Sequence, residues 1–263
     1  MLIKEIPKSL AVPFIQQYHY SKILPRLTKH YIGFFEDDKL VGVVTLGWGT
    51  QPLQTIKKIF PNKQFTTTDY FEIGKMCFIP DKNNSNWGSY ALSQLIKWIK
   101  KNLDIKFLYT LADGIMGKCG YVYQASNFIY IGKFKTDVYL DESTGEKIHP
   151  RSAKELCKEN AQILGKSKVF WLTHEFCEYK KISRIRGLMF RYIYPLDKSN
   201  RKLVYNLYGN LPYPKQSDLL FEKRVNLGKF EVVPMPKFNM DVFNHNYQKY
   251  GINEKSKTFF NFG

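Results

Sequence analysis

From Leu2 to Gly132 short apolar runs of strand length alternate with stretches whose apolar residues recur at helical spacing, and few folds accommodate that alternation. LIKEI reads as a strand. SLAVPFIQQYHY reads as a helix capped by Ser9, with Pro13 tolerated near its first turn. HYIGFFEDDKLVGVVTLGWG is a hairpin turned by EDDK, and Gly47 and Gly49 around Trp48 predict a bulge or a close backbone approach. QPLQTIKKIF is a short helix, and YFEIGKMCFIP is a strand stopped by proline. The polar turn DKNNSNWGS leads into a helix with Leu92, Leu95, Ile96, Ile99 and Leu103 on one face and Lys97, Lys100 and Lys101 mostly on the other. IKFLYTLAD is a buried strand, GKCGYVYQAS a short helix or tight turn, and NFIYIGKFKTDVYL a further strand. The order strand–helix–strand–strand–helix–strand–helix–strand–helix–strand predicts an α/β fold around a mixed sheet.

From about residue 145 the texture changes. Helix signals stand in SAKELCKENAQIL and NRKLVYNLYG, with the basic stretch YKKISRIRGLMFRYIY between them. The last forty residues hold prolines, asparagines and aromatics without a period, which predicts a tail that wraps the surface or is partly mobile. The expected division is a core over 1–144 and a basic C-terminal extension over 145–263, packed on the core and contacting DNA.

The formal net charge is +17 over 263 residues, which predicts an anionic partner, with nucleic acid the default. Residues 145–224 hold 17 Lys and Arg against 8 Asp and Glu, so over half of the excess lies there. Lys180, Lys181, Arg184, Arg186 and Arg191 alternate with Tyr179, Phe190, Tyr192 and Tyr194 in that stretch. Cations of this kind bind phosphates and aromatics stack on bases, whereas the plain reading is a solvated strand face with an apolar reverse side. Cys77, Cys119, Cys157 and Cys177 show no CxxC spacing and suit a reducing cytosol better than a disulfide scaffold. MLIKEIPKSL lacks the apolar core of a signal peptide, and no stretch reaches the ~18 apolar residues of a membrane helix.

Several residues carry a chemical reading beside a plain one. Asn86, Gly88 and Ser89 open a helix after a polar turn, where free backbone N–H groups favour a phosphate; the plain reading is a capped strand-to-helix loop. Lys75, flanked by apolar and small residues in EIGKMCF, can hold a phosphate or carboxylate or can snorkel to the sheet edge. Asp113 ends an apolar strand, where it can orient or deprotonate an amine, or simply open an Asp-Gly turn. Tyr123 can serve as a general acid toward a leaving thiolate, or sit half-buried with its hydroxyl satisfied. His19, beside Tyr20, can be a base or metal ligand, or a helix C-terminal histidine facing the dipole.

HYSKILPR, GVVTLGWGTQP, EIGKMCFIPDKNNSNWGSYALSQLIKWIKK and ADGIMGKCGYVYQASNFIYIGKF together resemble the Mom family of phage DNA-modification proteins, over roughly residues 15–135. The resemblance implies a GNAT acyltransferase-like fold, with a mostly antiparallel central sheet flanked by helices. It implies a transferase that places an N6-carbamoylmethyl, glycinamide-like group on adenine in DNA and so protects phage DNA from restriction in the bacterial host cytoplasm. Acetyl-CoA or a related acyl or glycyl donor, and iron, are the cofactors linked to the family. Carried over, the resemblance marks His19, Tyr20, Asp113 and Tyr123 as catalytic and Lys75 and Ser89 as donor-binding. The family pattern favours arginine where this chain has Lys75, which keeps the charge and loses the bidentate fork. The turn also departs from the usual acetyltransferase Q/R-x-x-G-x-G/A pattern. Adenine N6 is a poor nucleophile, so the chemistry needs an acceptor for its proton, an activated donor and a stabilised leaving group. In duplex DNA the base must also leave the stack, and Trp48 and Trp87 are the aromatics expected to receive it. Two rival readings are a GNAT-type transferase with another acceptor, such as a hypermodified pyrimidine, tRNA or a protein amine, and a basic DNA-binding protein without catalysis.

Overall fold

The computed structural model describes residues 1–63, 65–82, 86–150 and 153–242. The chain is mixed α/β, with a mostly antiparallel sheet flanked by helices. Two compact units form: residues 1–113, 118–133 and 190–215 in one, and 114–117, 134–189 and 216–263 in the other. Residues 190–215 of the expected extension thus belong with the first unit, and 134–144 of the expected core with the second.

In the first unit the expected order appears in full. Strand β1 (Leu2–Glu5) is followed by helix α1 (Lys8–Tyr18) and the hairpin β2 (Leu27–Glu36) and β3 (Lys39–Trp48). Next come α2 (Pro52–Ile59), β4 (Tyr70–Phe78), α3 (Trp87–Asn102), β5 (Phe107–Asp113) and α4 (Tyr121–Ala125). Strand β6 (Ile129–Asp141) and the later strand β8 (Ile182–Pro195) contribute residues to both units. The strand order is β1-β2-β3-β4-β5-β8-β6. The cap of α1 differs from expectation. Pro7 is the N-cap residue and Ser9 lies inside the helix, because Pro7 already fixes the extended entry with φ −67° and ψ 149°. The hairpin turns at Asp37 and Asp38, both at positive φ (45° and 63°), the two-residue geometry that matches strand twist.

The β4–β5 pair is parallel, so the chain must cross over between the two strands, and α3 is that crossover. Its buried face carries Ala91, Leu92, Leu95, Ile96 and Ile99. The opposite layer packs Ile56, Ile59 and Phe60 from the α2 segment on Tyr70, Phe107, Tyr109, Ile129 and Ile193. The parallel register runs only from Tyr70↔Phe107 to Ile73↔Thr110. Lys75 and Asp113 both lie beyond its last pair. In open α/β sheets the space past the carboxyl ends of such strands is where ligands bind.

The second unit contains the far end of β6, β7 (Lys147–Ile148), α5 (Lys154–Ile163), α6 (His174–Tyr179), the first part of β8, β9 (Phe221–Asn226) and β10 (Lys229–Val232). Helix α7 (Lys198–Tyr208) returns to the first unit. Tyr139, Ile148, Leu156, Leu172, Phe176 and Ile182 make the second unit's main core. The start of the tail is packed. Phe238 joins Ile115, Val138 and Ile185, and the Asn239 N–H donates to the Gly145 carbonyl at 2.8 Å. Residues 243–263, the rest of the expected tail, lie outside the described residues, as do Asn83, Asn84 and Ser85 of the polar turn and Arg151 and Ser152.

Gly120 shows how tightly the α4 entry is built. It sits at φ 92°, and a Cβ there would come within 2.5 Å of the Tyr192 ring. The Tyr192 hydroxyl donates to the Cys119 carbonyl and accepts from Gln124 Nε2 at 3.0 Å. Gly120→Ala is therefore expected to destabilise by about 2–4 kcal/mol, combining left-handed strain with overpacking, read as a lowered urea midpoint at unchanged slope.

Candidate functional site

Helix α1 ends at Tyr18, and the chain turns extended at His19, whose φ is −92° and ψ 135°. That break lays the HYS segment against the sheet. The Ser21 N–H donates to His19 Nδ1 at 2.8 Å, which places the neutral ring's proton on Nε2. The His19 ring, 8% exposed, stacks on Tyr20 with centroids 4.5 Å apart. Lys75, 9% exposed, donates from Nζ to Ser21 Oγ at 2.8 Å, while its backbone N–H donates to Thr45 Oγ1 at 2.9 Å. The sheet-edge reading of Lys75 is thereby replaced: its ammonium points into the HYS segment.

Tyr20 donates a hydrogen bond to the Asp113 carboxylate. Burial first, then the Asp113 charge, raise the Tyr20 phenol far above its usual value, so it stays protonated and donating. Lys118 Nζ stands 4.1 Å from the centroid of the Tyr20 ring. The Lys118 N–H donates to the Asp113 carbonyl at 3.1 Å, closing the turn that follows β5. His19, Tyr20, Ser21, Lys75, Asp113 and Lys118 thus form one connected group.

Tyr123 stands on α4 with its ring against Phe128 and Tyr192. Burial raises its phenol, opposed by a hydrogen bond with Thr110, with the Glu72 charge adding to the rise. A raised phenol is a poorer acid, so the geometry suits a neutral hydrogen-bond donor better than a group that surrenders its proton.

Glu72 escaped the sequence reading. On β4, it accepts the Gly49 N–H at 3.1 Å on Oε2, and burial pushes its carboxyl up to about 7 against that bond. Burial first, and then the Glu72 charge, raise the phenols of Tyr70 and Tyr109. The available signal was a lone carboxylate inside the apolar run YFEIGKMCF. Lys118, also missed, stood between two glycines of a turn that looked purely conformational.

The residues expected to bind a phosphate at α3 divide. Asn86 is the N-cap and makes no side-chain cap bond, so the helix mouth can accept an external anion. The Ser89 hydroxyl donates back to the Asn86 carbonyl at 3.0 Å. Gly88 is a packing residue, since a Cβ there would meet Val122 of α4 at 2.9 Å. Trp48 donates from Nε1 to the Thr67 and Tyr70 carbonyls at 2.9 and 3.0 Å, and Trp87 packs on Phe78 at 4.5 Å. Both tryptophans are partly buried. Among the described residues no three His, Cys, Asp or Glu side chains gather as a metal site, so iron finds no ligand set there. No helix among them is long and apolar enough to cross a membrane, and the four cysteines are free thiols.

The basic stretch is not one stripe. Arg184 and Arg186 share Asp137, with Arg186 Nε at 2.7 Å, and Arg186 lies 3.7 Å from the centroid of the Phe230 ring. Burial raises the Asp137 carboxyl, but Arg186 and Arg184 outweigh it and hold it below its usual value. Lys180 pairs with Glu159 at 2.5 Å, Lys181 is exposed at φ 54°, and Arg191 belongs to the first unit. Cations collect instead around a cleft of about 340 Å³ in the second unit, lined by Lys181, Arg184, Lys223 and Arg224 with Glu142 and Glu178.

Glu72 gives a pH test with a fixed sign. Its folded value of about 7 lies above the 4.5 of an unperturbed glutamate, so its burial costs nothing below 4.5 and its full penalty above 7. Glu72→Gln is therefore expected to match the wild type in stability at pH 4 and to exceed it progressively as pH rises through 7, measured by urea unfolding across that range.

The methylcarbamoylase mom of Escherichia phage Mu is 29% identical over 210 residues, spanning 78% of this chain and 80% of that protein. An N-acetyltransferase from Staphylococcus aureus Mu50 superposes with a TM-score of 0.38 at 11% identity, covering 74% of this chain and 98% of its own. A GNAT-family acetyltransferase from Bacillus anthracis gives 0.35 at 10% identity, over 74% and 94% of the two chains. The Mom protein family matches residues 1–215, and the chain belongs to that family.

Proposed function

We propose that this protein is a DNA-modifying transferase that places a carbamoylmethyl or acyl-type group on adenine N6 and thereby shields phage DNA from restriction in the host cytoplasm. Family membership supports the class of activity. The observation that carries the residue assignment is the Tyr20–Asp113 hydrogen bond at the open end of β5, beside the buried Lys75 ammonium.

In this reading Asp113 accepts the proton of the adenine N6–H as the new N–C bond forms. Tyr20 holds the carboxylate by a hydrogen bond. The raised phenol keeps that bond one-directional, because Tyr20 does not ionise at working pH. His19 stacks on Tyr20 and fixes its ring, while Lys118 adds a cation against the same ring. Tyr123 donates a hydrogen bond to the departing atom without giving up its proton. Lys75, with Ser21, offers a positive charge to an anionic or carbonyl group of the donor, and Asn86 and Ser89 stand at the mouth of α3 where a donor phosphate is favoured. An acetyl-CoA-like or glycyl donor, when bound, supplies the activated group.

The test is mass spectrometry of nucleosides from DNA of cells expressing the protein. The wild type yields a heavier deoxyadenosine whose mass names the group, and Asp113→Asn lowers its yield by about 10²-fold or more. Tyr20→Phe, which frees the carboxylate to rotate, lowers it less. A modified pyrimidine or tRNA base in the digest in place of deoxyadenosine overturns the adenine assignment, and full modification by Asp113→Asn overturns the site.

A further inference from the structure

Between α5 and α6 the chain reads Gly165-Lys-Ser-Lys-Val-Phe-Trp-Leu172, and its two adjacent aromatics face solvent. Phe170 is 71% exposed and Trp171 59%. Singly exposed hydrophobes are ordinary on a protein surface, but two neighbouring large aromatics left in water are not.

The pair is presented on a fixed base. The Lys166 N–H donates to the Ala161 carbonyl at 2.8 Å on one side. On the other, Leu172 is fully buried and its N–H donates to the Tyr139 hydroxyl at 3.2 Å. The Thr173 N–H donates to Asn160 Oδ1 at 2.8 Å, and the Thr173 hydroxyl caps α6. The rings are therefore held outward by anchors on both flanks, which lowers the ordering cost of binding through them.

Charge narrows the occupant. Lys168 Nζ lies 4.6 Å from the centroid of the Phe170 ring, Lys166 is exposed beside it, and no Asp or Glu occurs from Asn160 to His174. A second copy docked on this loop by a twofold axis would set these lysines against their own images. Aromatics interleaved with lysines fit a polyanion whose rings can stack.

We propose that Phe170 and Trp171 form a base-stacking element that receives unstacked nucleobases of DNA, with Lys166 and Lys168 on the adjoining phosphates. The proposal rests on the DNA-modifying reading and assigns the stacking role to this loop in place of Trp48 and Trp87. Stacking on such a platform compensates part of the free energy needed to open the duplex.

The test measures binding of fluorescein-labelled single-stranded and duplex DNA by anisotropy as a function of salt, with nucleoside analysis run in parallel. Phe170→Ala/Trp171→Ala is expected to weaken single-strand binding about 10-fold or more with an unchanged salt slope. Trp171→Tyr is expected to restore most of it, and Lys168→Gln to lower the slope by about one. An unchanged urea midpoint excludes misfolding as the cause, because the rings are exposed. Unchanged affinity in the double variant overturns the proposal while leaving the enzymatic reading intact. So does a shift in sedimentation from dimer to monomer without a change in DNA affinity, which marks an interface between copies. Wild-type protein that binds no DNA overturns it outright, whereas the enzymatic reading stands or falls on the nucleosides.

Discussion

The parallel contact between β4 and β5 governs the first unit. Two parallel neighbours cannot be joined by a tight turn, so the sequence must spend a helix to connect them, and α3 is that helix. The same contact then stops at Ile73↔Thr110, although β4 continues to Phe78 and β5 to Asp113. Backbone groups past the last pair no longer fill one another's hydrogen-bonding needs, and side chains from both strands gain room. Lys75 and Asp113 occupy those positions. The sheet thus sets one cation and one carboxylate at its opened end, and the β3–β4 register shifts between the Thr45↔Lys75 and Leu46↔Ile73 pairs.

Once there, the charges are managed by the HYS segment. A buried ammonium is costly unless a polar group faces it, and Ser21 does so at 2.8 Å. A carboxylate that must act on a substrate has to be held in one rotamer, and Tyr20 supplies a hydrogen bond that does so. Three consecutive residues, freed from α1 by the break at His19, therefore serve both charges. Glu72 is the counterexample in the same neighbourhood. Burial raises its proton affinity, and the one backbone N–H it accepts offsets only part of that rise.

Much of the first unit was legible because the apolar period changes cleanly between two and three-and-a-half residues from one segment to the next. The order of ten elements, the EDDK turn and the closeness of backbone at Gly47, where a Cβ would meet the Leu27 carbonyl at 2.2 Å, all follow from local chemistry. Asp113 and Lys75 were legible as polar groups in apolar strands. What pairs with them was less so, because the Tyr20–Asp113 and Ser21–Lys75 bonds join residues far apart in sequence. The basic stretch misled for the same reason: Asp137, which takes up Arg184 and Arg186, lies 47 and 49 residues earlier. Ser9 misled because the helix begins at Lys8, so Pro7 takes the N-cap position, without a side-chain cap bond, and Ser9 falls inside the first turn.

Strand β8 has a consequence for how the chain is made. Its last residues, Phe190–Pro195, belong to the first unit and lie between β5 and β6, yet they follow the 56-residue segment 134–189 that builds the other unit. A ribosome that has released residues 1–133 has delivered β5 and the first-unit part of β6, and not the strand that separates them. Until Tyr192 arrives, Gln124 and the Cys119 carbonyl lack their partner, and Ile193 is missing from the core it shares with Phe107 and Ile129. The nascent first unit therefore waits, with two open edges, for a strand encoded beyond an insertion. Long-range closure of this kind is slow and leaves those edges exposed to mispairing, so synthesis rate and chaperone capture bear on the yield of folded protein.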